Sequence, residues 1–181
     1  MTFTPATNGN GTATITVTVN DGQAINNTST RTFGVTVTSL DDAPSLNALN
    51  NLTVNEDATL QTINLSGISS GAANEAQTLT LTATSSDPGL IPNPIVSYTS
   101  PNTTGSLSFT PVANANGTAT ITVTVSDGQA LNNTTTQSFA VTVNPVNDPP
   151  TLNAINGMTI AENAGSQIVN LGGIGSGAAN E

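Results

Sequence analysis

The chain contains neither cysteine nor histidine, and it has one basic residue, Arg31, against eleven acidic residues. The missing residue types exclude disulfides, thiol chemistry, Cys/His zinc sites and Ser-His triads. A formal net charge of −10 with a single cation argues against nucleic acid, which is bound through Lys and Arg, and equally against an anionic membrane surface. We therefore expect no nucleic-acid partner.

Aromatic residues and long apolar runs are also scarce. Only 3% of the residues are aromatic, so platforms for stacking sugars are few. No apolar run is long enough to cross a bilayer, and we expect no membrane insertion. Neither His nor Lys is available to activate a Ser or Thr, and the Asp-Gly pairs favour turns over catalysis. The sequence predicts no enzyme, no catalytic residues and no organic cofactor.

A long internal repeat dominates what is present. Residues 3–75 recur as residues 109–181 at a constant offset of 106 residues, with roughly three positions in five identical. A period of this length corresponds to one whole domain. We predict the C-terminal part of one repeat at 1–43, a complete repeat at 44–149 and the N-terminal part of the next repeat at 150–181. The chain has the pattern of a window within a longer tandem array.

The repeat has the pattern of short β-strands. In the run 118–125 apolar residues alternate with Thr, which gives one buried and one solvated face. We expect Ile121, Val123, Val125, Phe139, Val141 and Val143 to be buried. Seven antiparallel strands in about 100 residues predict an all-β, immunoglobulin-like sandwich. The expected strands are 51–56, 60–65, 77–84, 95–99, 105–110, 117–126 and 136–144.

The linkers and strand ends resemble a known family. Residues 141–150 end in Val-Asn-Asp-Pro-Pro, similar to the end of a cadherin repeat, and residues 121–128 resemble its penultimate strand with the Asp. The chain is similar to cadherin-like and immunoglobulin-like tandem repeats of large bacterial surface proteins of the adhesin type. It departs from cadherins in having no L-D-R-E motif and no D-x-D motif in the third strand.

Acidic residues are expected to gather at the two ends of the complete repeat. Up-and-down strands place the end of the sixth strand beside the incoming linker, while the first strand crosses to the outgoing linker. Carboxylate and carbonyl oxygens are calcium ligands, but Asp and Asn at strand ends also simply make turns. The calcium candidates are Asp41, Asp42 and Asp127 at one end and Glu56, Asn147 and Asp148 at the other.

Nine Asn residues precede x-Ser/Thr and are candidate glycosylation sites. They are Asn10, Asn26, Asn27, Asn51, Asn64, Asn102, Asn116, Asn132 and Asn133.

Three classes of function follow from this organisation. The first is a structural or adhesive stalk of an extracellular, cell-surface protein, in which the partners are neighbouring repeats joined by semi-rigid, Pro-containing linkers. The second is a self-assembling filament in which strands of identical chains pair. The third is a module that binds cell-surface glycans or proteins.

Overall fold

The computed structural model describes residues 1–178, and every regular element within that range is a β-strand. No helix in the described part is long and apolar enough to cross a membrane. The strands are β1 (Gly11–Asn20), β2 (Thr28–Val37), β3 (Leu52–Asn55), β4 (Gln61–Ser66), β5 (Thr80–Ser85), β6 (Ile95–Ser97), β7 (Thr104–Phe109), β8 (Gly117–Ser126) and β9 (Thr134–Asn144).

Strands β3 to β9 form two sheets that face one another across one core. One sheet has the order β3-β9-β8-β5 and the other has the order β4-β7-β6. The pairs are antiparallel except β3–β9, which is parallel with Leu52 opposite Val141. The chain before β3 lies along the other sheet, where Ser45 forms a bridge with Ser69. The first segment of the repeat thus crosses from one sheet to the other, which is why its pairing with the last strand is parallel.

The core confirms the predicted register of the β8–β9 hairpin. Ile121, Val123, Val125 and Val141 are completely buried, and Phe139 and Val143 are 2% exposed. The Thr residues between them are exposed or half-buried. Stiff, β-branched Thr suits this solvated face because it pairs across strands, as the hydroxyls of Thr122 and Ser138 do at 3.1 Å.

The N-terminal part forms one hairpin, and no sheet within residues 1–178 faces it. Strands β1 and β2 pair from Gly11↔Val37 to Asn20↔Thr28, which is the register of β8 and β9 shifted by one repeat. The segment after residue 150 contains one isolated bridge, Thr151↔Gly175, and no named strand up to residue 178. Residues 179–181, which belong to the predicted third repeat, lie outside the described residues.

Candidate functional site: the two ends of the sandwich

At one end of the sandwich, a tight turn follows β8 and holds Asp127. The Asp127 backbone N–H donates to Asn133 O at 3.2 Å, and its Oδ1 accepts from Gln129 N at 2.9 Å. Gly128 completes the turn with φ +76°. Asp127 is only 4% exposed, because the linker that enters the module lies over the turn. We call this end the entry end.

The linker at the entry end is tied to the sandwich through Asp41. Its Oδ1 accepts from Gln77 Nε2 at 3.0 Å, and its backbone carbonyl accepts from Asn132 Nδ2 at 2.9 Å. Three residues further on, Pro44 O accepts a short hydrogen bond from the Thr135 hydroxyl. The linker is therefore attached both to the segment before β5 and to the β8–β9 hairpin.

Glu75 attaches the next linker residue, Asp42. Its Oε1 accepts from Asp42 N at 2.7 Å, while Oε2 accepts from Ala72 N at 3.2 Å within the same loop. The loop approaches the linker closely at Gly71, where φ is +117° and an added Cβ would lie 2.7 Å from Asp42 O. Glycine is therefore required at this position by both its backbone conformation and its surroundings.

Three side-chain oxygens at the entry end are buried and accept no hydrogen bond. They are Asp41 Oδ2, Asp127 Oδ2 and Gln77 Oε1. Burial raises the pKa of Asp41, and the neighbouring charges of Asp127, Glu75 and Asp42 raise it further, against the opposing hydrogen bond from Gln77. Two of these three oxygens belong to carboxylates, so part of the negative charge at the entry end lies on buried oxygens that accept no hydrogen bond.

At the opposite, exit end, Glu56 attaches the outgoing linker. Glu56 is 3% exposed; its backbone N–H donates to Asn144 O at 2.9 Å, and its Oε1 accepts from Val146 N at 2.6 Å. Asn147 is exposed and donates through Nδ2 to Asp148 O at 2.9 Å. Asp148 is half-buried. A buried acid from the start of the module therefore fixes the first residues that leave it.

The structure brings the candidate residues together as two separate groups. Asp41, Asp42 and Asp127 lie at the entry end, and Glu56 lies beside the linker that carries Asn147 and Asp148. Glu75 and Gln77 were not among the predicted site residues. For Glu75 the signal in the sequence is that residues 71–75 recur without change as 177–181. Within residues 1–178, no group of three or more His, Cys, Asp or Glu side chains is arranged to hold a metal ion. The three buried oxygens at the entry end that accept no hydrogen bond belong to two carboxylates and one amide.

Most candidate glycosylation residues are accessible. Asn27 and Asn133 are half-buried, and the other seven are exposed. Two of the exposed ones have structural hydrogen bonds: Asn51 Oδ1 accepts from Ala140 N at 2.8 Å, and Asn132 binds the linker as described above.

The two facing sheets and their strand order define an immunoglobulin-like β-sandwich. The family model described as a bacterial Ig domain matches residues 41–144, which is more than half of the chain. The chain therefore belongs to the bacterial Ig domain family. This result confirms the predicted all-β, immunoglobulin-like fold.

Solved structures with a similar fold come from several kinds of protein. Mouse clustered PcdhgC3 EC1-3 is 17% identical with a TM-score of 0.46, covering 80% of this chain and 46% of that one. Domains 4 and 5 of the S-layer protein SbsC are 15% identical with a TM-score of 0.43, covering 75% and 66%. Titin domains z1z2, solved with telethonin, are 15% identical with a TM-score of 0.41, covering 64% and 55%. No curated protein sequence matches the chain significantly.

Proposed function

We propose that the chain is a structural and adhesive tandem-repeat segment of a long extracellular surface protein, in which it acts as a semi-rigid spacer. The observation that carries this proposal is the attachment of both linkers to the body of the complete module. Asp41, Asp42 and Pro44 are held at the entry end, and Val146 is held at the exit end.

These attachments restrict the direction in which the chain enters and leaves. A free linker would sample many dihedral angles, whereas each hydrogen-bonded linker residue keeps one conformation relative to the sandwich. Pro44, Pro149 and Pro150 restrict the linkers further because proline fixes φ and holds the preceding residue extended. Repeats joined in this way build a rod whose length grows with the number of copies.

Membership in the bacterial Ig domain family supports a location at the cell surface, and the repeat supports a role in which length matters. In an array of similar modules, each duplication adds length and repeats a similar surface.

Small-angle X-ray scattering of tandem copies of residues 44–149 tests the spacer function. We expect the maximum dimension to increase linearly with the number of copies. A double variant, Glu75→Ala with Asn132→Ala, removes linker hydrogen bonds at the entry end and should give shorter, more variable particles. Gln129→Ala is the matched control because it changes a neighbouring exposed side chain. Compact particles in the parent array would refute the spacer proposal.

We also propose that a calcium ion binds at the entry end, where buried oxygens lack donors. The buried oxygens that accept no hydrogen bond belong to Asp41, Asp127 and Gln77. Negative charge beside them comes from Asp42 and Glu75. Calcium takes six to eight oxygen ligands, so backbone carbonyls and water would complete the set. By the repeat, Asn147 and Asp148 would have the same role for the following module, with Glu56 adjacent at the exit end.

Calorimetric titration with calcium tests this second proposal. Binding should release or absorb heat and raise the melting temperature as calcium concentration rises, because the ion binds the folded state. Asp127→Asn should abolish both effects. Asp21→Asn is the matched control, because Asp21 makes the same turn in the first hairpin but is exposed. The absence of heat and of any melting shift in the parent chain would leave a metal-free spacer.

A further inference from the structure

One edge of the complete module carries backbone groups that no neighbouring strand pairs. Strand β5 stands last in the sheet order β3-β9-β8-β5, so β8 pairs with one side of it and no strand within residues 1–178 pairs with the other. Ser86 N donates to Thr120 O at 2.9 Å, and by alternation the even-numbered residues of β5 also turn their backbone groups towards β8. The odd-numbered residues therefore point their N–H and C=O groups out of the sheet.

Side chains cap the two ends of this outward row. Leu79 N donates to Ser100 Oγ at 3.1 Å, and Ser85 N donates to Asn93 Oδ1 at 2.9 Å. The two outward N–H groups between these caps have no acceptor in the part of the chain that the structure describes. An unpaired stretch at a sheet edge is a template for pairing with another strand. The caps confine such pairing to the middle of β5.

The uncapped groups belong to Leu81 and Ala83, whose side chains are half-buried against the core. Each of the two residues offers one backbone donor and one backbone acceptor to an added strand. Thr80, Thr82 and Thr84 alternate with them and are exposed on the outer face of the sheet. The free edge thus has an apolar inner side and a hydroxyl-bearing outer side.

The sequence of this edge is complementary to itself. If two copies of the chain place their β5 edges antiparallel about Thr82, Leu81 of each copy lies opposite Ala83 of the other. Opposed residues of this type exchange both backbone hydrogen bonds. The arrangement therefore pairs the free N–H and C=O groups of both copies, and it leaves the capped ends outside the contact.

On the outer face the same arrangement brings threonines together. Thr82 faces its own counterpart, and Thr80 faces Thr84 of the other copy. The sheet of the module already contains such pairs, since the hydroxyls of Thr122 and Ser138 lie 3.1 Å apart across β8 and β9. Cross-strand pairs of Thr with Thr or Ser stabilise antiparallel sheets. A second copy thus supplies the contacts that the sheet uses internally.

The distribution of charge also favours a second copy over a charged partner. None of the eleven acidic residues lies in β5, β8 or β9. Two copies can therefore pair along this edge without placing carboxylates on the paired strands against each other. The uncharged edge offers no ion pair to a partner of opposite charge.

We propose that two copies of the chain associate side by side through their β5 edges, which joins two four-stranded sheets into one continuous sheet. The contact is isologous, because each copy contributes the same strand. It goes beyond the spacer function, which concerns the end-to-end order of repeats within one chain. Because few backbone groups take part, the association depends on a high concentration of chains.

Disulfide cross-linking tests the register, because the chain has no cysteine of its own. Thr82→Cys should give a covalent dimer under mild oxidation, since directly opposed residues of a non-hydrogen-bonded pair have Cα atoms about 4.5 Å apart. Thr84→Cys is the matched control on the same strand and face, where the counterpart lies beyond disulfide reach. Thr80→Cys mixed with Thr84→Cys should cross-link again. Equal yields from Thr82→Cys and Thr84→Cys alone would overturn the proposed register.

Sedimentation velocity of the full chain tests the association itself. We expect the average mass to rise with concentration, and we expect Thr82→Lys to abolish the rise, because two lysines would face each other. Thr136→Lys is the matched control, since Thr136 is exposed on the same face but lies two strands away, opposite Thr124. A monomer at every concentration, or equal effects of the two lysines, would overturn the proposal. A monomer would leave the rod shape of tandem arrays unaffected, so the two proposals fail separately.

Ala83→Pro tests the backbone pairing without adding charge. The N–H of Ala83 points away from β8, so proline removes a donor of the interface and leaves the β5–β8 hydrogen bonds in place. We expect the association to be lost while circular dichroism shows a folded module. Association retained in this folded variant would overturn the assignment to the β5 edge, and Thr82→Lys keeps the proposal testable if the proline variant does not fold.

Discussion

Two hairpins in this chain have nearly the same sequence and very different surroundings. Residues 12–19 and 118–125 are identical, and the strands that contain them, β1 and β8, each form ten paired positions with their partner strands in the same register. Within residues 1–178, only the second hairpin packs against another sheet. Val125 is completely buried, whereas Val19 is 64% exposed. Pairing is therefore set by the local sequence, and burial is set by the strands that the rest of the module contributes.

The difference shows where stability resides. Hairpin hydrogen bonds and cross-strand Thr pairs are present in both copies, but an isolated two-stranded hairpin is only marginally stable in water. The apolar core between the two sheets supplies the main favourable term for the complete module. Tyr98 is the only tyrosine, and the chain has no tryptophan, so intrinsic fluorescence reports on the complete module alone.

The largest expected difference in the free energy of unfolding is between Ala variants of the two equivalent phenylalanines, Phe139 and Phe33. Phe139→Ala removes a core side chain that is 2% exposed and should lower the free energy of unfolding by about 3–5 kcal/mol. Phe33→Ala changes a side chain that is 42% exposed and should cost less than about 1 kcal/mol. Chemical denaturation followed by Tyr98 fluorescence measures the loss for Phe139→Ala, and amide exchange of β1–β2 measures it for Phe33→Ala. Similar losses from the two variants would mean that the first hairpin has a core of its own.

The same comparison explains which parts of the fold could be predicted. The alternation of apolar residues with Thr is a local signal, and it gave the correct faces of β8 and β9. The parallel pairing of β3 with β9 joins residues about 90 positions apart, and nothing near Leu52 indicates it. Strand β5 begins at Thr80 rather than at residue 77, because the Gln77 side chain binds Asp41 and Leu79 N donates to Ser100 Oγ.

The candidate site was predictable to a similar degree. Chain direction was enough to place Asp127 beside the incoming linker and Glu56 near the outgoing one. Glu75 and Gln77 were missed because they lie in a loop whose course depends on tertiary contacts, including the close approach of Gly71 to Asp42. Sequence spacing alone carries no information on which loop side chain will reach a distant linker.

A second difference in stability is expected between variants of Glu56, which lies at the exit end, and of its counterpart Glu162 in the segment after residue 150. Glu56→Ala removes a buried acceptor from Val146 N and should lower the free energy of unfolding by about 1–3 kcal/mol. Glu162 is exposed, and Glu162→Ala should stay within about 0.5 kcal/mol of the parent. Chemical denaturation decides between them. If Glu56→Ala lowered the free energy of unfolding as little as Glu162→Ala, the attachment of the outgoing linker would contribute little to stability.

Gly128 and Gly22 should respond alike to substitution, because the cost arises from the local backbone conformation of the turn. Gly128 and Gly22 have φ +76° and +80°, and an added Cβ would meet nothing within 4 Å at either. Gly→Ala should therefore cost only the backbone penalty of the left-handed conformation, about 1 kcal/mol. Fluorescence should detect this loss for Gly128→Ala, and amide exchange of β1–β2 should detect it for Gly22→Ala. Asn at either position should restore part of the loss, since it tolerates positive φ.

The smallest expected effect concerns the charge at the entry end, where Asp127 is buried and its counterpart Asp21 is exposed. Burial is the main cause that raises the pKa of Asp41, and the charge of Asp127 is the next. Asp127→Asn should therefore lower the Asp41 pKa towards its ordinary value without fully restoring it. Asp21→Asn should leave it unchanged. Carbon-13 NMR titration of the Asp41 carboxyl, with a chelator present to remove calcium, measures both variants.

The sign of the effect on stability follows from the direction of the shift. Because the folded-state pKa of Asp41 lies above its unfolded value, its ionised form disfavours the folded state at neutral pH. This penalty is relieved as pH falls through the raised pKa towards the unfolded value. Asp127→Asn should lower the raised pKa of Asp41 and so reduce this penalty. The free energy of unfolding should then differ less between acidic and neutral pH. An unchanged Asp41 titration in that variant would show that the charge of Asp127 does not contribute to the raised pKa of Asp41.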